Sequence, residues 1–422
     1  MAVTLTKKSI GDGIDLHIMT DPKFKSCCFR FCFIIPHTAE TAEANSMIAY
    51  ILDSTNSDYP DLTSFNSRLA GLYGASFRTN ISRYGDDRQI AFVSASISDR
   101  YALDGECISM ELLKLLCGSI FNPVLDDDGL FPAKQFEIKR KEMIDDIKSD
   151  INDKKEYAYK KAVERVYEGE TSGIALKGTV ERTEALTRQQ VYDAYKAMLR
   201  NARVMIYYTG NEMPAECEEY IRNCFGTVER DNIYVSNVTP SPLKDKVCEA
   251  SDVMDITQNK MVMALKFRDN YPETVVKLFT VVFGASPFSL LFKNVREKMS
   301  LCYYCSSSPS MTKRTIFVES GLEAENTETA RNEILNQLET IKRGEISDEL
   351  LEQSKLILKS AISTVEDTPT SVFHWYHDRS YFDSVLSPAE YIEQLSKVTK
   401  EQIVEFADTL CLDTVYVLKG SE

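Results

Sequence analysis

Histidine is scarce in this chain of 422 residues: there are four, His17, His37, His374 and His377, beside one tryptophan. No stretch approaches the ~20 apolar residues that a membrane-crossing helix needs. Basic residues number 49 against 64 acidic ones, a formal net charge of −15. That balance works against attraction to phosphate backbones and anionic lipid, so neither nucleic acid nor a membrane is expected as a partner. A Gly-x-Ser-x-Gly elbow, a glycine-rich phosphate loop and a second Cys-x-x-Cys are all missing. Serine-hydrolase, nucleotide and zinc-ribbon chemistry are excluded with them. The opening MAVTLTKKSIGDGIDLHIMT lacks the sections of a secretion signal and carries acidic residues that a mitochondrial presequence avoids, so a cytoplasmic location is expected. The eleven cysteines are odd in number and mostly embedded in apolar runs, which predicts free thiols and no disulfide framework.

What is present is an ordinary globular composition, 43% hydrophobic and 27% charged, with a mean hydropathy of −0.25. The chain is too long for one hydrophobic core. LTKKSI and IDLHIMT flank a Gly-Asp-Gly turn and predict a hairpin, and CCFRFCFIIP predicts a buried strand. NSMIAYILDST predicts a helix with Asn45 or Ser46 as its cap. QIAFVSASI (89–97) predicts a strand and CISMELLKLLCGSIF (107–121) a helix. The run KQFEIKRKEMIDDIKSDINDKKEYAYKKAVERVY predicts a long charged helical stretch.

Two passages repeat in the same order. ALTRQQVYDAYKAMLRNARVMIYYTG and KVTKEQIVEFADTLCLDTVYVLKG each place a Thr-x-x-Gln capping box (Thr187 with Gln190, Thr399 with Gln402) before an amphipathic helix and a glycine-closed strand. Upstream, RLAGLYGASFRTNISRYGDDRQIAFVSASISD resembles REKMSLCYYCSSSPSMTKRTIFVESGLEAE. The order argues for a duplicated domain: residues 1–234, a proline-containing linker at 235–252, and residues 253–422. Each half is expected to be α+β, a largely antiparallel sheet with helices packed on one face.

A duplicated α+β chain carrying Arg296-Glu297-Lys298-Met299-Ser300-Leu301-Cys302-Tyr303 resembles the pitrilysin/insulinase-like metalloendopeptidases and mitochondrial processing peptidases, whose pattern there is Arg-Glu-Lys-x-Gly-Leu-Ala-Tyr. It is similar in particular to the short bacterial members that pair two chains. The resemblance implies two related domains forming a half-shell. It also implies an inverted zinc motif, His-x-x-Glu-His, on the first helix. Here those positions read Tyr50, Asp53 and Ser54, with spacing that a helix would bring to one face. The third ligand of the family falls, within a residue, on Asp146. A phenol and a hydroxyl are poor replacements for two imidazoles, so no zinc is expected in this chain. Without a metal-bound water, Asp53 would have nothing to deprotonate.

In two-chain members of the family the zinc-less subunit supplies an arginine and a tyrosine to substrate. The resemblance therefore casts this chain as the noncatalytic partner of a zinc-bearing homologous subunit, inactive alone, with Arg296 and Tyr303 as the substrate-binding pair. A guanidinium and a phenol can orient the carbonyls of an extended peptide. The plainer reading makes Arg296 a surface charge and Tyr303 a packed strand residue, and Tyr304 stands one register step away. FGASPFSLLF has one glycine, Gly284, so the family's glycine-rich loop is not expected. The rival function is a structural or interaction protein of the same fold with no part in proteolysis. A homodimeric peptidase with an unfamiliar metal site is a third.

His374 and His377 have an i, i+3 spacing that could chelate a metal on a helix, but an aromatic packing helix is the plainer expectation. His17 and His37 are expected to be satisfied structural histidines. Cys302 and Cys305 have redox-pair spacing, yet in a strand residues three apart point to opposite faces, so no thiol pair is expected. The long charged runs read as solvated helix faces, and some of the acidic residues would suit a chamber for basic peptides.

Overall fold

The computed structural model describes residues 3–381 and 385–421. Its strands are β1 (Thr4–Gly11), β2 (Ile14–Thr20), β3 (Ser26–Pro36), β4 (Ser76–Tyr84), β5 (Asp87–Ile97), β6 (Arg203–Gly210), β7 (Cys248–Met254), β8 (Asn259–Lys266), β9 (Tyr304–Ser310), β10 (Thr315–Leu322) and β11 (Cys411–Gly420). They form a six-stranded sheet in the order β1-β2-β6-β3-β5-β4 and a five-stranded sheet in the order β7-β11-β8-β10-β9. If β1 is set aside the two orders are the same, strand for strand. In both, the first and last strands of the half pair in parallel (β2 with β6, β7 with β11), and the remaining neighbours are antiparallel. The duplication read from the capping boxes is thus a duplication of topology. Both boxes form, with Thr187 accepting from the Gln190 N–H and Thr399 from the Gln402 N–H.

The chain divides into two units whose segments interleave. One holds Met1–Lys148, Ile174–Asn237 and Glu366–Ser380; the other holds Ser149–Gly173, Val238–Val365 and Tyr381–Glu422. The expected long charged stretch is accordingly two helices, Ala133–Ser149 and Lys154–Val166, and the second starts afresh with Asp153 accepting from the backbone of Lys155 and Glu156.

In the first unit Phe29, Phe31 and Phe33 of β3 alternate onto one sheet face and join a core with Met47, Ile48, Leu112, Leu116, Val191 and Ile206. The other face of β3 is covered by the helix Pro369–Arg379, with the Arg30 guanidinium 3.8 Å from the Phe373 ring centroid. Burial on both faces is why CCFRFCFIIP reads as an unbroken apolar run and not as an alternation. In the second unit the helix Lys154–Val166 does the same for Val262 and Ala264 of β8, Phe317 of β10 and Tyr416 of β11, through Ala158, Ala162 and Val166. No helix among the described residues is long and apolar enough to cross a membrane.

Candidate functional site: the zinc-motif positions and the Arg296–Tyr303 segment

The first helix runs Ala42–Ile51 and is buried on almost every side, including Glu43, Asn45 and Ser46. Its cap is Thr41, without a side-chain hydrogen bond, so the expected caps Asn45 and Ser46 are interior residues instead. The helix also ends earlier than its sequence suggests: the Leu52 N–H closes onto the Ile48 carbonyl, and the Gln135 amide reaches the Ile51 carbonyl at 3.2 Å. Asp53 and Ser54 therefore lie in the turn beyond the helix and do not share a helical face with Tyr50. No glycine or proline marks that stop, which is why the periodicity overran it.

Asp146, on Ala133–Ser149, does meet the first helix. The Tyr50 hydroxyl donates to its carboxylate at 2.6 Å, and the Lys177 ammonium lies 3.2 Å away. The Tyr50 bond, aided by Lys177, holds the Asp146 carboxyl below its usual range. Asp53 accepts from Ser54 at 2.5 Å and pairs with Lys139 at 2.8 Å; Lys139 also pairs with Glu142 at 2.9 Å. Lys139 and Lys177 are the residues that motif reasoning passed over. Lys139, Glu142 and Asp146 are three, four and seven residues apart and share one helical stripe, so Lys139 could have been found once Asp146 was placed.

This donor set does not fit zinc. It offers a phenol, a hydroxyl and two carboxylates, and each carboxylate is already neutralised by an ammonium group that would repel a dication. Among the described residues no group of three or more His, Cys, Asp or Glu side chains is placed to hold a metal ion.

In the second unit, Leu291–Lys298 is a wide π-type turn of helix in which the Met299 N–H reaches back to the Asn294 carbonyl. The chain leaves it through Ser300 at φ +52°, and the Leu301 N–H bonds the Val295 carbonyl. Ser300 stands where the family pattern has glycine, and the left-handed backbone supplies the physical reason for that glycine. Arg296 is exposed, its guanidinium 4.5 Å from the Phe292 ring centroid, and no carboxylate pairs with it among the described residues. Tyr303 is 56% exposed, its N–H donates to the Gly321 carbonyl and its hydroxyl donates to Glu323 at 2.6 Å. That hydrogen bond, with the charge of Glu323, raises the phenol's pKa. Tyr304 is half-buried, with the Lys155 and Lys260 ammonium groups 4.9 and 5.8 Å from its ring.

Cys302 precedes the regular part of β9 and Cys305 lies within it, and both are buried free thiols. His374 and His377 lie on Pro369–Arg379, where His377 stacks on Phe373 and its Nδ1 is 2.9 Å from the Tyr207 hydroxyl. His37 is satisfied by Ile174 and Arg88, whereas His17 stacks on Tyr207 with no hydrogen-bond partner for its Nε2 among the described residues.

This geometry has relatives among known proteins. Residues 185–358 match the Peptidase M16 inactive domain. A Bacillus subtilis (strain 168) protein, probable inactive metalloprotease YmfF, is 24% identical over 418 residues, covering 98% of both chains. The chain is similar to M16 peptidases. The crystal structure of a conserved protein from Enterococcus faecalis V583 superposes on this chain with a TM-score of 0.90 and 25% identity, covering 99% of each chain. The mitochondrial-processing peptidase subunit beta of Saccharomyces cerevisiae is 21% identical over 313 residues, 70% of this chain and 66% of its own. The likeness spans both halves of the chain.

Proposed function

We propose that the chain is a noncatalytic, zinc-less subunit of a two-chain zinc endopeptidase, inactive alone, that binds extended peptide for a zinc-bearing homologous partner. The observation that carries this reading is a contrast. The carboxylates at the zinc-motif positions are tied to Lys139 and Lys177, while the Arg296 guanidinium is exposed and pairs with no carboxylate among the described residues. A guanidinium and a phenol exposed on the same segment of chain can donate to the carbonyls of a peptide backbone. The family match and the B. subtilis relative, described as probably inactive, support the loss of independent activity. Zinc would belong to the partner chain.

The test is reconstitution with a zinc-bearing homologous chain from the same genome. The isolated chain should cleave nothing, and the mixture should cleave peptide. Arg296→Ala should lower kcat/KM of the mixture more than tenfold, while leaving stability unchanged to within about 0.5 kcal/mol because the side chain is exposed. The rival reading, an interaction protein with no part in proteolysis, draws on the Tyr303–Glu323 bond, which occupies the phenol internally. It predicts unchanged kinetics in the Arg296 variant.

A further inference from the structure

The two sheets repeat each other strand for strand except at one edge. β2 and β7 are equivalent, each paired in parallel with the last strand of its half, β6 or β11. β2 carries a further antiparallel neighbour, β1, in register from Thr4 opposite Thr20 to Gly11 opposite Ile14. β7 has no such neighbour among the described residues and ends the second sheet. The difference shows in burial. Beside β1, β2 buries Ile14, Leu16, His17 and Met19, whereas no residue of β7 is buried and Val253 is 69% exposed. At the opposite edges β4 and β9 end their sheets alike, so the duplication singles out the β7 edge.

An open edge offers a row of backbone N–H and C=O groups to an extended chain. What it selects follows from its side chains. From Val247 to Gln258 the sequence has Glu249, Asp252 and Asp255 and no basic residue. Glu249 pairs with Arg331 at 2.7 Å, and Asp252 accepts from the Tyr416 hydroxyl at 2.9 Å. Lys161, on the helix packed against this strand, pairs with Glu164 at 2.9 Å. Neither Asp252 nor Asp255 has an ion pair among the described residues. Two copies of β7 laid edge to edge would crowd acidic side chains together, which argues against self-pairing. β1 shows the arrangement that fits: Lys7 lies opposite His17 and reaches diagonally to Asp15 of β2 at 3.3 Å, and Lys8 reaches Glu218 at 2.7 Å.

We propose that the free edge of β7 is a docking surface for an extended, lysine- or arginine-bearing segment of a partner polypeptide, which adds antiparallel in the place that β1 fills in the first half. Backbone hydrogen bonds would hold the segment, and its basic side chains would meet Asp252 and Asp255. β7 and β9 lie at opposite edges of one sheet, so this surface is distinct from the Arg296–Tyr303 segment and stands whether or not the chain serves a peptidase.

The test uses the full chain and a synthetic probe, the blocked peptide VTLTKKSIG, which is residues 3–11 of this sequence. The control peptide has glutamate in place of both lysines. Hydrogen exchange read by mass spectrometry should slow roughly tenfold or more at residues 248–254 with excess probe, and should not change with the control. Asp252→Asn combined with Asp255→Asn should weaken the probe roughly threefold at low salt, and high salt should erase the difference. Equal binding of the two peptides would overturn the charge selection. Protection confined to residues 14–20, where the probe would have displaced β1, or found nowhere, would overturn the site. Protection of 248–254 in the chain alone, lost on dilution, would make a second copy the occupant and overturn the partner reading.

Discussion

The hydroxyl of Tyr50 donates a 2.6 Å hydrogen bond to the carboxylate of Asp146, joining the first helix to the helix Ala133–Ser149. The contact brings together a phenol, a carboxylate and the Lys177 ammonium, and no group that would ligate zinc well. Tyr50→Phe should cost about 1 kcal/mol in urea unfolding, the worth of one partly exposed hydrogen bond to a charged group. Tyr50→His combined with Ser54→His should still leave the chain without stoichiometric zinc by elemental mass spectrometry. Residue 54 lies past the helix end and Lys139 remains in place. One zinc per chain in that variant would refute this account of the site.

Ser300 should be a place where a single substitution stabilises. A non-glycine residue at φ +52° carries left-handed strain of roughly 1 to 2 kcal/mol, partly offset by the entropy that glycine adds to the unfolded chain. Ser300→Gly should raise stability by about 0.5 to 1 kcal/mol, seen as a higher urea midpoint at constant slope. A fall in the midpoint would mean that the serine side chain holds the turn.

Acid should weaken the first unit through its histidines. Burial lowers His17 and His37 to about 4 and His377 to about 3. An unfolded histidine titrates near pH ~6.5, so below that value the unfolded chain takes up protons that the folded chain refuses. The contribution is whole above about pH 6.5 and is lost as pH falls toward 4, on the order of 3 kcal/mol for each fully shifted group. His17→Phe keeps a ring against Tyr207 and removes one titrating group. Its Tm should therefore fall less steeply than that of the parent between about pH 7 and pH 5. Parallel slopes would show that other groups carry the acid sensitivity.

In the second unit Asp413 is fully buried between Lys266 at 3.2 Å and Lys244 at 3.3 Å, and the Lys266 side chain is 2% exposed. Asp413→Ala would strand a buried ammonium and should cost about 3 to 5 kcal/mol. Asp413→Asn, which keeps a hydrogen-bond acceptor, should cost less. Equal losses in the two variants, measured by chemical unfolding, would point to packing and not to charge.

Much of this was legible in the sequence because its signals are local. The Thr187–Gln190 and Thr399–Gln402 boxes, the strand 89–97 and the helix 107–121 need only nearest-neighbour physics. The end of the first helix was not, because the stop comes from Gln135 reaching across from another helix. The partners of Asp53 and Asp146 were hidden for the same reason: a lysine in a charged run looks solvated until a tertiary contact assigns it. The breakpoint before Lys154 was signalled by Asp153, an N-cap residue in a run otherwise read as continuous.

The interleaving of segments has a consequence for how such a chain can be taken apart. A cut in the proline-containing stretch, at Asn237/Val238, would leave each product without a piece of its own fold, 366–380 missing from one and 149–173 from the other. Each piece would expose a sheet face that the lost helix had kept dry. A library of fragments should therefore contain no soluble single half, only pairs that rescue one another when expressed together. The ancestral duplicate, whatever its first form, can no longer be returned to a free-standing gene by deleting its twin.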